Sequence, residues 1–535
     1  MKITLAQLNP IPADIKYNKK KIFEVLNNAQ KDELVIFPEL FIYGHHNFDM
    51  IKKFPFILSQ IDEVIEEIKE NYKNPILISY PTLLNGEIQK THQLINGENL
   101  DVEIIDDKEL MDENYVAKAS YVICLKSFLS RTNAEYLRNC AFEKFIKKQN
   151  KNFIFINQVG AIDEFIYDGA SRMYDKTGRI VALAKVFEED VLKIENNIGR
   201  IEKVFENFTK PMNLDKFSLD YEADLERTYR AIILSIKDYF SKNGFKQAVL
   251  GLSGGLDSTI CAVLLADALG AKNVLGVSMP SKLTSNLSKT DAYELAKNLG
   301  IGFFEAPIKK YHDAFSEGFE EIFAETSKHW CNKYTNSYTQ DNIQARSRAM
   351  ILWGIANEYG STLSIATSDK SEAHMGYATI NGDMSGGFAP IADVTKTKLF
   401  ALARWMNKNR EVKNAVPESI ILKPPGAELA IDPNTGETLK AEDALMPYEF
   451  LDEVIWRIEN LHQSVDNMMK SEFLYEKNNK ITLETKKLWL EKFFRRLNTA
   501  IYKWYILPPA PIVDSSSINK AEFNQPIVSN INHLK

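Results

Sequence analysis

Two α/β units in one chain, the second built on a doubly wound parallel sheet, are what the sequence predicts, and three observations carry the prediction. The chain has 535 residues, too long for one ordinary core. Short apolar runs alternate with amphipathic segments of helical period along most of its length. A strand near residue 250 runs through Ser-Gly-Gly-Leu-Asp-Ser straight into a helix, and further strand and helix pairs follow, the order of an open parallel sheet.

From the start to about residue 185, "KITLAQL", "ELVIFPEL", "PILISYP", "SYVICL" and "FIFINQVG" read as strands. Helices fall between several of them: Ile22, Val25 and Leu26 share one face of "NKKKIFEVLNNAQK", and Ile61, Val64, Ile65 and Ile68 share one face of "LSQIDEVIEEIKENY". "SRMYDKTGRIVALAKV" reads as a hairpin about Lys176-Thr177-Gly178. After it the stretch 188–222 is charged and loses its period. The expected division is a first domain at 1–190, a linker at 191–222, a second domain at 223–510 and a tail at 511–535. In the second domain Leu225, Ile232, Ile233, Ile236 and Phe240 form a stripe that ends at Gly244. The strand before the loop, a helix over 258–268, "NVLGVSM" and the helix "SKTDAYELAKNLG" come next, and 453–506 reads as mostly helical.

Composition narrows the function. Apolar residues at 45% and charged residues at 26% fit a folded protein. A net charge of -7 and the lack of any dense Lys/Arg run with interleaved aromatics argue against a nucleic-acid partner. No run reaches membrane-spanning length, and the first residues read as a strand, so neither a membrane partner nor a signal peptide is expected. Cys124, Cys140, Cys261 and Cys331 never form Cys-x-x-Cys, which removes zinc-ribbon and dithiol readings and fits a reduced cytoplasm.

The loop itself carries chemistry. A helix that starts at the carboxyl end of a parallel strand offers unpaired N–H groups to an anion, and Gly254 and Gly255 let the backbone come close. Ser253 and Ser258 add hydroxyl donors. Asp257 fits an anion site only with a cation between, which suggests Mg²⁺ with pyrophosphate. No Walker lysine motif occurs in the chain, which excludes the kinase and GTPase arrangement.

This signature resembles the pyrophosphate loop of the ATP pyrophosphatases. Downstream, "TQDNIQARSRAMILWGIANEYG", a helix with Asp341 as its expected cap, places Asn342 and Arg346 on one face. With "ATSDKSEAHMGYATINGDMSGGF" after the next strand, residues 225–510 resemble the NAD synthetases. The resemblance implies an ATP-binding set of Gly251, Leu252, Ser253, Gly254, Gly255, Leu256, Asp257, Ser258, Thr367 and Lys396. It implies Asn342, Arg346, Glu372, Asp383 and Lys503 at deamido-NAD⁺, and Asp257 with Glu372 at Mg²⁺. Two carboxylates suit a hard cation that offsets charge as pyrophosphate leaves. Three positions depart from the family pattern: Asp369 stands for Asn, Gly426 for a Ser, and Trp504 for a basic residue.

"LVIFPEL" with Glu39, "IQKTHQL" with Lys90, and "FINQVGAIDEFIYDGASRMYDKTG" resemble the nitrilase-type amidase domain of glutamine-dependent NAD synthetases, which implies a nitrilase-like α/β sandwich. There a glutamate is the general base, a lysine stabilises the tetrahedral intermediate and a cysteine attacks the glutamine amide. Here the nucleophile's place reads "VEIIDDKELMDE", with Ile105 or Asp106 where the thiol belongs. Cys124 reads as a buried strand residue. The expectation is an NAD⁺ synthetase that forms an acyl-adenylate from deamido-NAD⁺ and ATP, takes free ammonia, and keeps Glu39 and Lys90 as remnants in a homo-oligomer, at least a dimer. The alternatives are glutamine use through an unrecognised nucleophile, or a non-catalytic nucleotide-binding relative.

Overall fold

Alternation with a period of two sets the first unit. On the strand β1, Lys2–Gln7, Ile3 and Leu5 face one way and Thr4 and Ala6 the other, and all four are buried. A strand buried on both faces belongs in the middle of a layered sandwich, and that is its place. The computed structural model describes residues 1–201, 216–219, 221–330, 338–410, 412–426, 441–519 and 521–522. The chain divides into two units, Met1–Pro211 and Met212–Lys535.

The first unit continues with β2 Glu33–Ile36, β3 Ile76–Leu84, β4 Glu87–Ile95, β5 Val102–Ile105, β6 Tyr121–Leu125 and β7 Asn152–Ile156. There follow β8 Val159–Ile162, β9 Phe165–Asp168, β10 Arg172–Tyr174, β11 Ile180–Leu183, β12 Asp190–Glu195 and β13 Ile198–Gly199. One sheet has the order β13-β12-β1-β2-β3-β4, a second the order β11-β10-β7-β6-β5, and β8 pairs with β9. Ile3, Leu5, Leu34 and Ile36 of the first sheet meet Ile123, Leu125, Ile154 and Ile156 of the second in one core. Helices cover the outer faces: Ile15–Asn27 and Phe56–Asn71 bury their predicted stripes on one side, and Ala134–Gln149 packs Phe142, Phe145 and Ile146 over Val122, Cys124, Phe153 and Phe155 on the other. The hairpin about Lys176-Thr177-Gly178 forms between β10 and β11.

The expected linker is shorter than read. Strands β12 and β13 occupy 190–195 and 198–199, β12 running antiparallel to the whole of β1, because Leu192 and Ile194 alternate inward between charged neighbours. Residues 202–215 of that stretch, Cys331 and residues 523–535 of the expected tail lie outside the described residues. The earlier part of the tail is packed: Ile512 and Val513 are buried, and the N–H groups of Val513 and Asp514 donate to Asp393 Oδ2 at 2.8 and 2.9 Å.

In the second unit β14 Gln247–Gly251, β15 Val274–Ser278, β16 Gly302–Glu305 and β17 Thr362–Ser364 form a wholly parallel sheet in the order β16-β15-β14-β17. The helix Glu222–Asn243 precedes it and stops at Gly244, whose φ of 79° is the left-handed cap expected there. Asp341 is not a cap. The helix begins at Thr339 after Tyr338, so Asp341 stands in its first turn, and burial pushes its carboxyl up. A helical layer follows, in which Tyr448–Leu461 and Leu483–Trp504 pack on the short helix Lys370–Met375. Among the described residues no helix is long and apolar enough to cross a membrane.

Candidate active site

The strand order reverses between β14 and β17, and the chain leaves both strands at the same edge, where open α/β sheets bind ligands. From β14 comes the loop 251–258 and the helix Leu256–Leu269. Gly254 has φ +74°, and a Cβ there would lie 2.2 Å from the Ser288 carbonyl oxygen, so only glycine fits. The loop is internally braced. Gly255 N–H donates to Ser253 Oγ at 3.2 Å, Ser253 Oγ lies 3.1 Å from Ser258 Oγ, and Thr259 Oγ1 donates to Gly255 O at 2.8 Å. The cleft above it, with a volume of about 260 Å³, is lined by Gly251, Leu252, Ser253, Gly255, Leu256, Asp257, Ser258, Thr367, Glu372, Asp383 and Lys396 among others. Gly254 is set back against Ser288 and shapes the loop rather than lining the cleft.

From β17 the chain runs through Thr367 to Asp369, whose side chain caps the helix Lys370–Met375 by accepting from Glu372 N–H at 2.9 Å. This turn brings Asp257, Asp369 and Glu372 within 4.8 Å of one another. Lys396 Nζ sits among them, 2.7 Å from Asp257, 2.6 Å from Asp369 and 3.0 Å from Glu372. Burial pushes the Asp369 carboxyl up to about 6 and raises Glu372 as well. Burial opposes the charge on Lys396 too, but the three carboxylates outweigh it and hold the ammonium well above the ordinary lysine value. The departure at Asp369 is therefore a third carboxylate in the cluster.

Residues without a sequence signal fix this geometry. Asp452 is buried and accepts from Ser371 Oγ, from Thr397 N–H at 2.8 Å and from Thr397 Oγ1 at 2.7 Å, tying the Glu372 helix to the start of the Lys396 helix. Lys370, wholly buried, pairs with Glu459 at 2.8 Å and Asp514 at 3.1 Å. Trp504 is buried and donates from Nε1 to Ala373 O at 2.9 Å, so this departure supports the helix that carries Glu372. Gly426 lines the cleft. Arg348, Lys289 and Lys423 line it too, cations whose positions no motif announced.

The remaining expected residues converge on one loop, 376–383. Lys503 Nζ donates to Gly376 O at 2.8 Å and Ala378 O at 2.6 Å, and Arg346 Nε to Ile380 O at 3.2 Å. Thr379 Oγ1 donates to Asn342 Oδ1 at 2.9 Å, and Thr379 N–H to Asp383 Oδ1 at 2.6 Å. Burial raises the Asp383 carboxyl and lowers the Lys503 ammonium. Asp383 and Tyr377 line the cleft, whereas Asn342, Arg346 and Lys503 do not and bond to the loop instead.

In the first unit Glu39, beyond β2, is buried and accepts from Lys90 Nζ at 2.5 Å and from Ser127 N–H at 2.7 Å. At the end of β5 Ile105 is buried, and Asp106 caps the next helix, accepting from Lys108 N–H at 2.8 Å. Cys124 faces the helix layer, because it alternates with Ile123 and Leu125 on β6. Burial, with the charges of Glu39 and Asp106 nearby, pushes its thiol up, away from the nucleophilic thiolate.

A parallel sheet with a phosphate loop and carboxylates at its switch point defines an α/β nucleotide-binding enzyme, and the family described as NAD synthase matches residues 228–492. The curated glutamine-dependent NAD(+) synthetase of Aquifex aeolicus is 35% identical over 522 residues, covering 85% of this chain and 88% of that protein. That of Thermotoga maritima is 31% identical over 530 residues, with 85% and 88% covered. The chain belongs to the glutamine-dependent NAD(+) synthetase family. Its fold matches the crystal structure of a glutamine-dependent NAD(+) synthetase from Cytophaga hutchinsonii with a TM-score of 0.79 at 20% identity, covering 100% of this chain and 99% of that one. The structure of the Acinetobacter baumannii synthetase in complex with adenosine diphosphate matches at a TM-score of 0.69 and 24% identity, with 98% of each chain covered.

Proposed function

We propose that this chain is an NAD⁺ synthetase that adenylates the nicotinate carboxylate of deamido-NAD⁺ with ATP and amidates it with free ammonia. The observation that carries the reading is the meeting of the loop 251–258 with Asp257, Glu372 and Lys396 at the switch point, beside the braced loop 376–383. In the first step a carboxylate oxygen attacks the α-phosphorus, an O–P bond forms and pyrophosphate leaves. The N–H groups of the loop and the N-terminus of Leu256–Leu269 bind the departing pyrophosphate. Lys396 and Thr367 meet ATP. In the second step ammonia attacks the acyl carbon, AMP leaves with the bonding pair, and a proton is lost from nitrogen.

Three oxygen donors in one cluster suit a hard divalent cation, and Asp257 with Glu372 would hold it. Mg²⁺ bound there would supply charge neutralisation at the phosphates. Asp383 and the loop 376–383, secured by Asn342, Arg346 and Lys503, orient the dinucleotide so that two encounters become one oriented step.

Ammonia as donor is supported by the first unit. Ile105 is apolar, Asp106 is spent on a helix cap, Cys124 faces away with a raised thiol pKa, and Glu39 is held by Lys90 and Ser127. The names of the relatives favour glutamine, and the test separates the two. Full chain with ATP, Mg²⁺ and deamido-NAD⁺ should form NAD⁺, AMP and pyrophosphate with ammonium but not with glutamine. Glutamine-driven turnover that survives removal of trace ammonia overturns the donor assignment, and no AMP under either condition overturns the synthetase reading.

A further inference from the structure

Asp369 does not belong to the cation pair that the motif implies, yet it aims a buried carboxylate at the same point. Its Oδ2 is 2.6 Å from Lys396 Nζ, and none of its surface is exposed. Among the described residues the three carboxylates, whose ligand atoms lie within 4.8 Å of one another, share one paired ammonium, that of Lys396. A second feature lies next to the cluster. Among the described residues the buried Tyr448 hydroxyl has no hydrogen-bond partner, its ring lies 5.3 Å from Lys396 Nζ, and the charges of Lys396, Glu372, Asp369 and Asp257 all bear on it. A buried hydroxyl near three converging carboxyl groups suits a cation that carries its own water.

We propose that Asp369 completes a three-carboxylate site which takes up a divalent cation before any nucleotide arrives, Lys396 being the ion's stand-in at the point where the carboxylates converge. Magnesium sites built from one or two carboxylates complete their shell with substrate phosphates. A third protein carboxylate supplies a ligand that phosphate would otherwise supply, so the ion no longer depends on ATP to be held. Its arrival displaces the ammonium, which is then free to meet the phosphates. Asp369 thus turns a cation delivered with the nucleotide into one waiting for it.

The inference rests on the cation role given to Asp257 and Glu372, and its test is independent of turnover. Mn²⁺ is titrated into the full chain without nucleotide and followed by electron paramagnetic resonance. The wild-type chain should bind one ion at this site, and Asp369→Asn at least about tenfold more weakly. Asparagine still caps the helix, so the variant should fold, and the Trp504 indole bonded to Ala373 O reports that by its fluorescence. Asp369→Ser, which can also cap the helix, should weaken the ion likewise if Asp369→Asn fails to fold. Failure of the wild-type chain to bind Mn²⁺ without ATP, or equal affinity in wild type and a folded variant, overturns the proposal. AMP formation with ammonium is measured separately, so failure of the synthetase reading is told apart from failure of this one.

Discussion

Gly254→Ala isolates what the loop requires of its backbone. Alanine at φ +74° pays about 1–2 kcal/mol for the left-handed conformation. Its Cβ would also sit 2.2 Å from the Ser288 carbonyl oxygen and 2.7 Å from the Ser288 Cα, both backbone atoms of the helix Asn286–Leu299 that no side-chain rotation can move. Relief needs a shift on the order of 1 Å in the loop or the helix, for a total cost of about 2–5 kcal/mol. A displacement of that size at the reacting phosphates costs about 100-fold in kcat/KM for ATP. Gly255→Ala is the matched control: it is not in the left-handed region, and its Cβ meets only the Ser253 hydroxyl at 3.2 Å. As the N-cap of the helix Leu256–Leu269 it should lose no more than about 1 kcal/mol, less than Gly254→Ala. Urea unfolding followed by tryptophan fluorescence reads the second unit alone, since all 6 tryptophans lie beyond residue 212. Pyrophosphate release gives the kinetics. Equal destabilisation by the two substitutions, or wild-type stability for Gly254→Ala, would refute the packing argument.

Two further outcomes follow from buried charge. Burial pushes the Glu135 carboxyl up, but Arg138 and Arg172 outweigh it and hold it down to about 2, against an ordinary value of 4.5. A depressed carboxylate stabilises above its unfolded pKa, so this contribution, ~3 kcal/mol, is present at neutral pH and lost as pH falls from about 4.5 towards 2. Glu135→Gln should open the first unit at pH 8 and speed labelling of the buried Cys124 thiol, and unchanged labelling speaks against the network's role. Lys503→Met removes two bonds to the loop 376–383, so KM for deamido-NAD⁺ should rise about tenfold or more while KM for ATP holds within about twofold. Equal rises in both would show that the lysine acts on the nucleotide site instead.

How much of this was legible in the chain depends on range. The phosphate loop, the helix leaving it and the stop at Gly244 are written in consecutive residues, and each lies where the local pattern puts it. The strand β12 was not legible because charges interleave Leu192 and Ile194 and mask a period of two, which becomes visible only against its partner β1. Asp452 and Lys370 were beyond reach for another reason. Asp452 serves Ser371 and Thr397 across the fold, and Lys370 serves Glu459 and Asp514, partners set by packing alone. Asp369 was visible as a departure, but its meaning needed the distance to Lys396.

The loop 376–383 is gripped from outside largely by its main chain: Lys503 reaches the carbonyls of Gly376 and Ala378, and Arg346 that of Ile380. Grips of that kind are indifferent to which side chains the loop carries. The segment is in effect an exchangeable cassette: Ala378 and Ile380 are held by atoms every residue carries, so their side chains can vary while Asp383, which braces Thr379 N–H, keeps the frame.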